Sequence, residues 1–306
     1  MNEAELMIRL QEVGKKMTAK LPAIASDVES AGDAVEPEEK VGKQMAFWPE
    51  DAAAMPTELT RVSLFGLPAD RPGARKMLRA MKLDSRSDVE VLYTGEQLSA
   101  KEETTWLACF RLGRGVPIGQ RIYLNLTDLL CELKLSNTGG KRGNRQAVIT
   151  RLDRLSAAHF KVHFTRGDKT YSITTGMLKW GIENETGAMY IRLDPDGAAL
   201  FENLSYQPWD VRLSLHSDVS ARMLSYISGH EQGKHHSQTM DNLKRWCGYG
   251  GVIRKFRSAC IAALEELEAK GVLVKGSIKI VSGAKGDVAC WIRERTGKPP
   301  AIQAKP

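Results

Sequence analysis

Residues 139–158, GGKRGNRQAVITRLDRLSAA, carry the narrowest structural instruction in the chain. At 3.6 residues per turn, Val148, Leu152 and Leu155 fall on one side, and Arg142, Gln146, Thr150 and Asp153 on the other. A glycine-rich turn stands before them, with Lys141, Arg142 and Arg145 at the start. The spacing predicts a helix with an apolar back to bury and a basic front bearing amide and hydroxyl groups. Such a front suits the major groove of DNA, where these side chains meet base edges and phosphates. An ordinary amphipathic surface helix would show the same stripe.

Charge separates the two readings. The whole chain carries a formal +7. Residues 141–179 hold nine basic residues (Lys141, Arg142, Arg145, Arg151, Arg154, Lys161, Arg166, Lys169 and Lys179) against Asp153 and Asp168, so that window alone nets +7 and the remainder sums to about zero. A patch of this kind attracts polyanions through counterion release. The first fifty residues lean the other way, with ten acidic against six basic.

Around the helix the pattern is regular. Residues 89–93 alternate as a strand does. Ser99 with Glu102 three residues on makes a capping box, predicting a helix through Trp106, Leu107 and Phe110 to Gly113. Residues 121–124 read as a strand, and Thr127 or Asn125 caps a second short helix. After the opening helix, residues 159–164, the Gly167-Asp168 turn and residues 170–180 read as a β-hairpin. Helix, strand, helix, turn, helix and hairpin is the layout of a winged helix, whose hairpin reaches the phosphate backbone.

The layout returns later. Ser217 caps a helix bearing Ala221, Leu224 and Ile227; a short helix spans 238–247, and a long one spans 252–269. The long helix is basic only in its first half, around Arg254, Lys255, Arg257 and Ser258, whereas Glu265, Glu266 and Glu268 crowd its second. Residues 272–275 and 288–292 would pair as a second wing. The expected fold is therefore α+β, two tandem winged-helix domains with a flexible N-terminal region. The boundaries are 1–45 for that region and its acidic linker, 46–88 for a connecting segment packed on the first domain, 89–205 and 206–296 for the two domains, and 297–306 for a disordered tail.

Chemistry finds little purchase. Lys141 is followed by Arg142, so the GGKRG turn lacks the G-x-x-x-x-G-K-[ST] spacing of a nucleotide loop. His216, His230, His235 and His236 share a region without HExxH spacing and read as loop and cap residues. Asp194 and Asp196 flank a proline as helix-start carboxylates. The five cysteines are scattered, odd in number and never in a CxxC pair, as small core residues in a reducing compartment are. No apolar run approaches the roughly 20 residues of a membrane helix, and charges interrupt the N-terminus where a secretory signal would be apolar. These features describe a cytoplasmic binder that is not an enzyme, with no cofactor, metal or membrane contact. The duplex-binding residues would be Lys141, Arg142, Arg145, Gln146 and Thr150 on the first long helix, with Lys161, Arg166 and Lys169 on its wing. For the second domain they would be Lys244, Arg254, Lys255, Arg257 and Ser258.

Several words of the sequence go further. Trp48-Pro49 with Met55-Pro56, Tyr93-Thr94-Gly95, Pro117-Ile118-Gly119, Arg151-Leu152-x-x-Leu155, Leu200-Phe201, Ser220-Ala221-Arg222-Met223 with Tyr226 and Ser228-x-His230, and Glu265-Glu266-Leu267 occur in that order. In these the chain resembles the TrfA-type plasmid replication initiators of broad-host-range plasmids. The resemblance implies a protein that binds iteron repeats at a plasmid origin through two winged-helix domains. It implies opening of an adjacent AT-rich segment, with its single strands as a further partner, and recruitment of the host initiator, replicative helicase and sliding clamp. It also implies a monomer–dimer equilibrium. Where the family carries a clamp-binding peptide of the Gln-Leu-Ser-Leu-Phe kind, this chain has Gln44-Met45-Ala46-Phe47, one residue shorter, with Gln44, Met45 and Phe47 as its contact residues. A tandem winged-helix transcriptional regulator binding operator DNA is the alternative reading of the same layout.

Overall fold

The computed structural model describes residues 49–68, 75–183, 188–283 and 286–295. The N-terminal region 1–45, the tail 297–306 and the candidate clamp residues Gln44, Met45 and Phe47 lie outside the described residues. In chain order come strands β1 (Ala52–Pro56), β2 (Phe65–Gly66), β3 (Met77–Lys82), β4 (Val89–Glu96) and β5 (Leu98–Ser99), then helix α1 (Ala100–Leu112). Strand β6 (Arg121–Leu124), helices α2 (Leu126–Glu132) and α3 (Asn144–Ala157), and strands β7 (His159–Arg166), β8 (Lys169–Gly176), β9 (Lys179–Ile182) and β10 (Met189–Arg192) follow. A 3-10 turn at Pro195–Glu202 leads to β11 (Leu204–Pro208), α4 (Trp209–Leu213), α5 (Asp218–Ser228), β12 (His235–Thr239), α6 (Met240–Trp246), α7 (Ile253–Ala269), β13 (Lys279–Gly283) and β14 (Gly286–Ile292).

Local chemistry sets most helix starts. The Ser99 amide donates to Glu102 Oε2 at 2.8 Å, closing the capping box of α1. Asn125 and Asp128 do the same for α2, the Asp128 amide reaching Asn125 Oδ1 at 2.9 Å. Ser217 and Thr239 cap α5 and α6. Gly271, at φ 73°, turns the chain out of α7 in the left-handed region that glycine tolerates.

One sheet order occurs twice. β6, β10 and β9 form an antiparallel sheet with β10 in the middle, and β12, β14 and β13 form another with β14 in the middle. In each, the strand after the first helix pairs with the last strand of the unit. The units are α1-β6-α2-α3-β9-β10 and α5-β12-α6-α7-β13-β14. The β7–β8 hairpin is an insertion in the first. It pairs through β7 with β4, and β4 with β3, in a four-stranded antiparallel sheet of its own.

Two expectations change here. Of the hairpin expected from residues 159–164 and 170–180 beside the first long helix, residues 159–176 belong to the four-stranded sheet and 179–180 to β9, and β9–β10 takes the place next to β6. The second hairpin is β13–β14, and the expected pairing of 272–275 with 288–292 survives only as a short antiparallel bridge of Leu273 with Arg293, the Val274 amide donating to the Ile292 carbonyl at 3.0 Å. A third difference is that residues 49–68 and 75–88 supply strands to three sheets: β1 pairs with β11, β2 runs parallel to β5, and β3 edges β4.

Each unit closes its own core. In the first, Met55, Leu59, Phe65, Leu107, Val148, Leu152, Leu155 and Val162 are fully buried, beside Trp106, whose indole packs edge-on against Phe110 at 4.5 Å between centroids. In the second, Leu224, Ile227, Leu243, Phe256, Cys260, Leu267 and Trp291 do the same. Burying such a side chain contributes about 1.5–3 kcal/mol. Cys109, Cys247, Cys260 and Cys290 are buried free thiols, and Cys131 is exposed.

The cores meet around one carboxylate. Glu103 of α1 is fully buried and accepts from Arg212 Nη2 of α4 at 3.0 Å and from Arg222 Nη1 of α5 at 2.8 Å. Arg212 also donates to Gln207 Oε1 at 3.0 Å and Ser225 Oγ at 2.6 Å, and Arg222 to the Val62 carbonyl at 3.1 Å. A second junction joins backbones: the Leu67 amide donates to the Gly248 carbonyl at 3.2 Å. A Cβ on Gly248 would stand 2.7 Å from Gly66 Cα, and Gly248 sits at φ 59°, so both space and conformation require glycine.

Burial opposes the Glu103 charge, yet Arg222 and Arg212 outweigh it and hold the carboxyl below the usual range. A depressed folded-state pKa stabilises the fold above the unfolded carboxylate range, and that stabilisation is lost as pH falls through the folded pKa. Glu103→Gln, which keeps the shape and strands two buried cations, should lower unfolding free energy by about 3–5 kcal/mol. Urea denaturation at neutral pH measures it, and an unchanged midpoint would refute the role given to this carboxylate.

Candidate nucleic-acid interface

Helix α3 is seated by its apolar stripe, Val148, Leu152 and Leu155, all at 0% exposure. Its start is built by the preceding turn instead of a capping side chain of its own. The Asn144 amide donates to Thr138 Oγ1 at 2.9 Å, the Asn144 side-chain amide to the Ser136 carbonyl at 2.9 Å, and the Arg145 amide to the Thr138 carbonyl at 3.2 Å. Arg145 Nη1 donates to Asn137 Oδ1 at 3.1 Å, and the Thr150 hydroxyl back to the Gln146 carbonyl at 2.8 Å. Lys141, Arg142, Arg145 and Gln146 are exposed and Thr150 is half-buried, so all five stand on the open side expected of them.

Glu102 fixes α3 through Arg154. Its buried carboxylate accepts from Arg75 at 3.0 Å and from Arg154 of α3 at 3.1 Å, in addition to closing the cap of α1. Burial alone would raise its pKa, but the Ser99 hydroxyl and Arg75 hold it down, so it stays charged. A shallow groove of about 310 Å³ runs between the start of α1 and α3. Arg75, Lys101, Lys141, Arg142, Arg151 and Arg154 line it, with Glu102 as its one carboxylate. Arg75 and Lys101 escaped the sequence reading because one sits in a loop signal and the other in a helix far along the chain.

The hairpin residues divide. Lys161 is exposed on the face of the four-stranded sheet opposite Phe160, Val162 and Phe164, away from the core on which α3 packs. Lys169 is exposed beside the turn. Arg166 is drawn inward: it pairs with Glu58 at 2.8 Å and Glu202 at 3.2 Å, and donates to the Ala199 carbonyl at 3.1 Å. In the second unit, Arg254, Lys255 and Ser258 are exposed at the start of α7, and Lys244 is half-buried on α6. Arg257 is bound to Asp287 at the tip of β13–β14, bracing helix against hairpin. His235 and His236, expected in loops, lie on β12.

Helix ends distinguish α3 and α7 from their neighbours. Among the described α-helices, these two have no acidic residue in the first turn and no cap from the side chain of their own N-cap residue. Every other one carries a carboxylate there. Neither helix thus sets a carboxylate of its own against the positive end of its dipole, although in α3 the Asn144 and Arg145 amides are already taken by Thr138.

The outer face of the β6-β10-β9 sheet has a different character. Tyr123 and Tyr190 are cross-strand partners with centroids 6.4 Å apart, and the Arg121 guanidinium lies 4.7 Å over the Tyr190 ring. Gly181 sits opposite Tyr190, and a Cβ there would come within 2.8 Å of the tyrosine hydroxyl, so its absence makes room for the ring. Arg192 and Lys179 share the row of Arg121.

Three comparisons bear on this arrangement. The family model described as TrfA protein matches residues 40–280. A search of curated proteins gives no match. Among solved structures, the crystal structure of selenomethionine derivatives of domains 2 and 3 of RctB is similar at 14% identity and a TM-score of 0.50, covering 79% of this chain and 99% of that one. A second crystal structure of RctB domains 2–3 aligns at 13% identity and a TM-score of 0.44, covering 74% of this chain and 95% of the other. At 14% identity the likeness to the first concerns the fold alone.

A methyl group added to Gly143 would lie 2.3 Å from the carbonyl oxygens of both Thr138 and Gly139. Both are backbone atoms, so Gly143→Ala should displace the turn that starts α3. Hydrogen exchange at the Asn144 and Arg145 amides should rise about tenfold. Unchanged protection there would mean the turn does not set the start of the helix.

Proposed function

The chain belongs to the TrfA family, and we propose that it initiates plasmid replication by binding iteron repeats at the origin through two winged-helix units. One observation carries the reading. Two units of the same strand order each present a long helix whose first turn is basic and free of carboxylates. A helix of that kind suits the major groove, with its positive end and cations toward phosphate and its outer side chains toward base edges. In the first unit Lys141, Arg142, Arg145, Gln146 and Thr150 make these contacts, and Lys161 and Lys169 lie further out along the backbone. In the second they come from Lys244, Arg254, Lys255 and Ser258. Arg166 and Arg257 serve indirectly, by holding their hairpins in place.

The protein acts in the cytoplasm as a binder and not as an enzyme, so neither nucleotide turnover nor strand nicking is expected with magnesium. Opening of an AT-rich segment would expose single strands. The tyrosines of the β6-β10-β9 sheet, ringed by Arg121, Arg192 and Lys179, offer those bases a stacking surface. The host clamp would dock on Gln44, Met45 and Phe47, and the replicative helicase and host initiator would join at the opened origin. A monomer–dimer equilibrium regulates the active form. A transcriptional regulator would present the same helices, but it would protect a single operator and be dispensable for replication.

Footprinting on the plasmid that carries the gene separates these two: regularly spaced protected repeats are expected, and one isolated protected operator would overturn the initiator reading. Arg142→Ala should cost about 1–3 kcal/mol of specific binding if it meets a base. Lys169→Ala should weaken all duplexes alike and flatten the salt dependence. Tyr123→Ala with Tyr190→Ala should reduce single-strand affinity by about 1–3 kcal/mol per stacked base and leave duplex affinity unchanged. Equal losses on both substrates would remove the sheet from single-strand binding.

A further inference from the structure

Helix α7 begins in an unusual way. Val252 occupies its N-cap, with φ −70° and ψ 147° and no side-chain hydrogen bond, where serine, threonine, aspartate or asparagine would satisfy a free amide. Val252 is 61% exposed and the next residue, Ile253, is 42% exposed. The approach is through Gly250, where a Cβ would meet nothing within 4 Å, and Gly251, where one would stand 2.6 Å from the Tyr249 ring. Two branched aliphatics in water stabilise nothing in the fold, and the first of them forgoes a cap.

Their surroundings narrow what could cover them. Arg254 and Lys255 follow immediately and are exposed, Arg245 is exposed on α6, and the first turn of α7 holds no carboxylate. An apolar pair followed directly by two exposed cations, Arg254 and Lys255, fits a partner that is polyanionic yet presents small apolar groups. Duplex DNA presents one such group in the major groove, the C5-methyl of thymine.

We propose that Val252 and Ile253 read thymine methyl groups, and so determine where A·T pairs must fall in the half of the site under α7. The inference rests on the reading that α7 enters the major groove, and adds to it the base that this end of the helix selects. Arg254 and Lys255 then serve affinity and register on the phosphates, and the aliphatic pair serves sequence choice.

The test removes one methyl at a time. Duplexes are selected from a random pool by the full chain and resynthesised with deoxyuridine replacing each thymine singly. The wild-type chain should lose about fourfold in affinity at one or two positions, the value of one methyl-sized group taken from water. Val252→Ser/Ile253→Ser should bind thymine and deoxyuridine duplexes alike there, with the same salt slope as the wild type and a melting temperature no lower, since a serine at the N-cap stabilises the helix start. Equal wild-type affinity for all deoxyuridine duplexes, or discrimination that survives in the variant, would overturn the proposal while leaving duplex binding intact. Failure to select any sequence would overturn the groove reading and this proposal with it. Loss of self-association in the variant with discrimination unchanged, seen by sedimentation, would assign the pair to a second copy of the chain instead.

Discussion

A carboxylate with no access to water has to find cations, and Glu103 finds two, from helices that follow it by more than a hundred residues. The pairing carries a geometric demand as well as an energetic one. Arg212 and Arg222 reach Glu103 only if α4 and α5 approach α1 at one distance and one angle, because an unpaired buried charge costs several kcal/mol. The neighbouring glutamate repeats the logic on another side of the same helix. Residues one step apart point about 100° apart around a helix, so Glu102 faces Arg75 and Arg154 of α3 while Glu103 faces the second unit. Through two adjacent side chains, α1 orients the first long helix and anchors the half that carries the other.

Whatever was local could be read from the chain. The Ser99–Glu102 box, the Asn125 cap, strand β6 and the stripe of Val148, Leu152 and Leu155 follow from neighbours within a turn or two, and each is found in place. Pairing between distant segments was not legible. Either of two hairpins could have joined β6, and nothing in the alternation of residues 159–176 says that their partner is β4. Strands β3 and β12 went unseen because β3 is open to solvent along most of its length and β12, HHSQT, is polar throughout.

The candidate interface divides in the same way. The outward sides of α3 and α7 follow from helical period, and the exposed cations sit where that period puts them. Arg166 looked like one more hairpin cation because its partner Glu58 lies 108 residues away. Some family words do acquire physical reasons. Gly95 has φ 148° and leaves room for the hydroxyl of Tyr93, which donates to the Glu96 carbonyl at 2.7 Å. Arg222, within Ser220-Ala221-Arg222-Met223, is half of the charge pair around Glu103.

The contact of Gly66 with Gly248 bears on how such a molecule would meet a double helix. Gly248 lies in the turn that feeds α7, and Gly66 sits in β2 beside Ser99, which caps α1, whose Glu102 grips α3. The links as far as Gly248 are backbone contacts and the ion pair of the buried Glu102, and the turn of residues 249–252 joins Gly248 to α7. On the proposed reading, the two probes of the groove are held like the points of a fixed caliper. A target whose half-sites were one base pair too near or too far would have to be twisted or bent to fit, because the span belongs to the protein, and the strain would fall on the DNA.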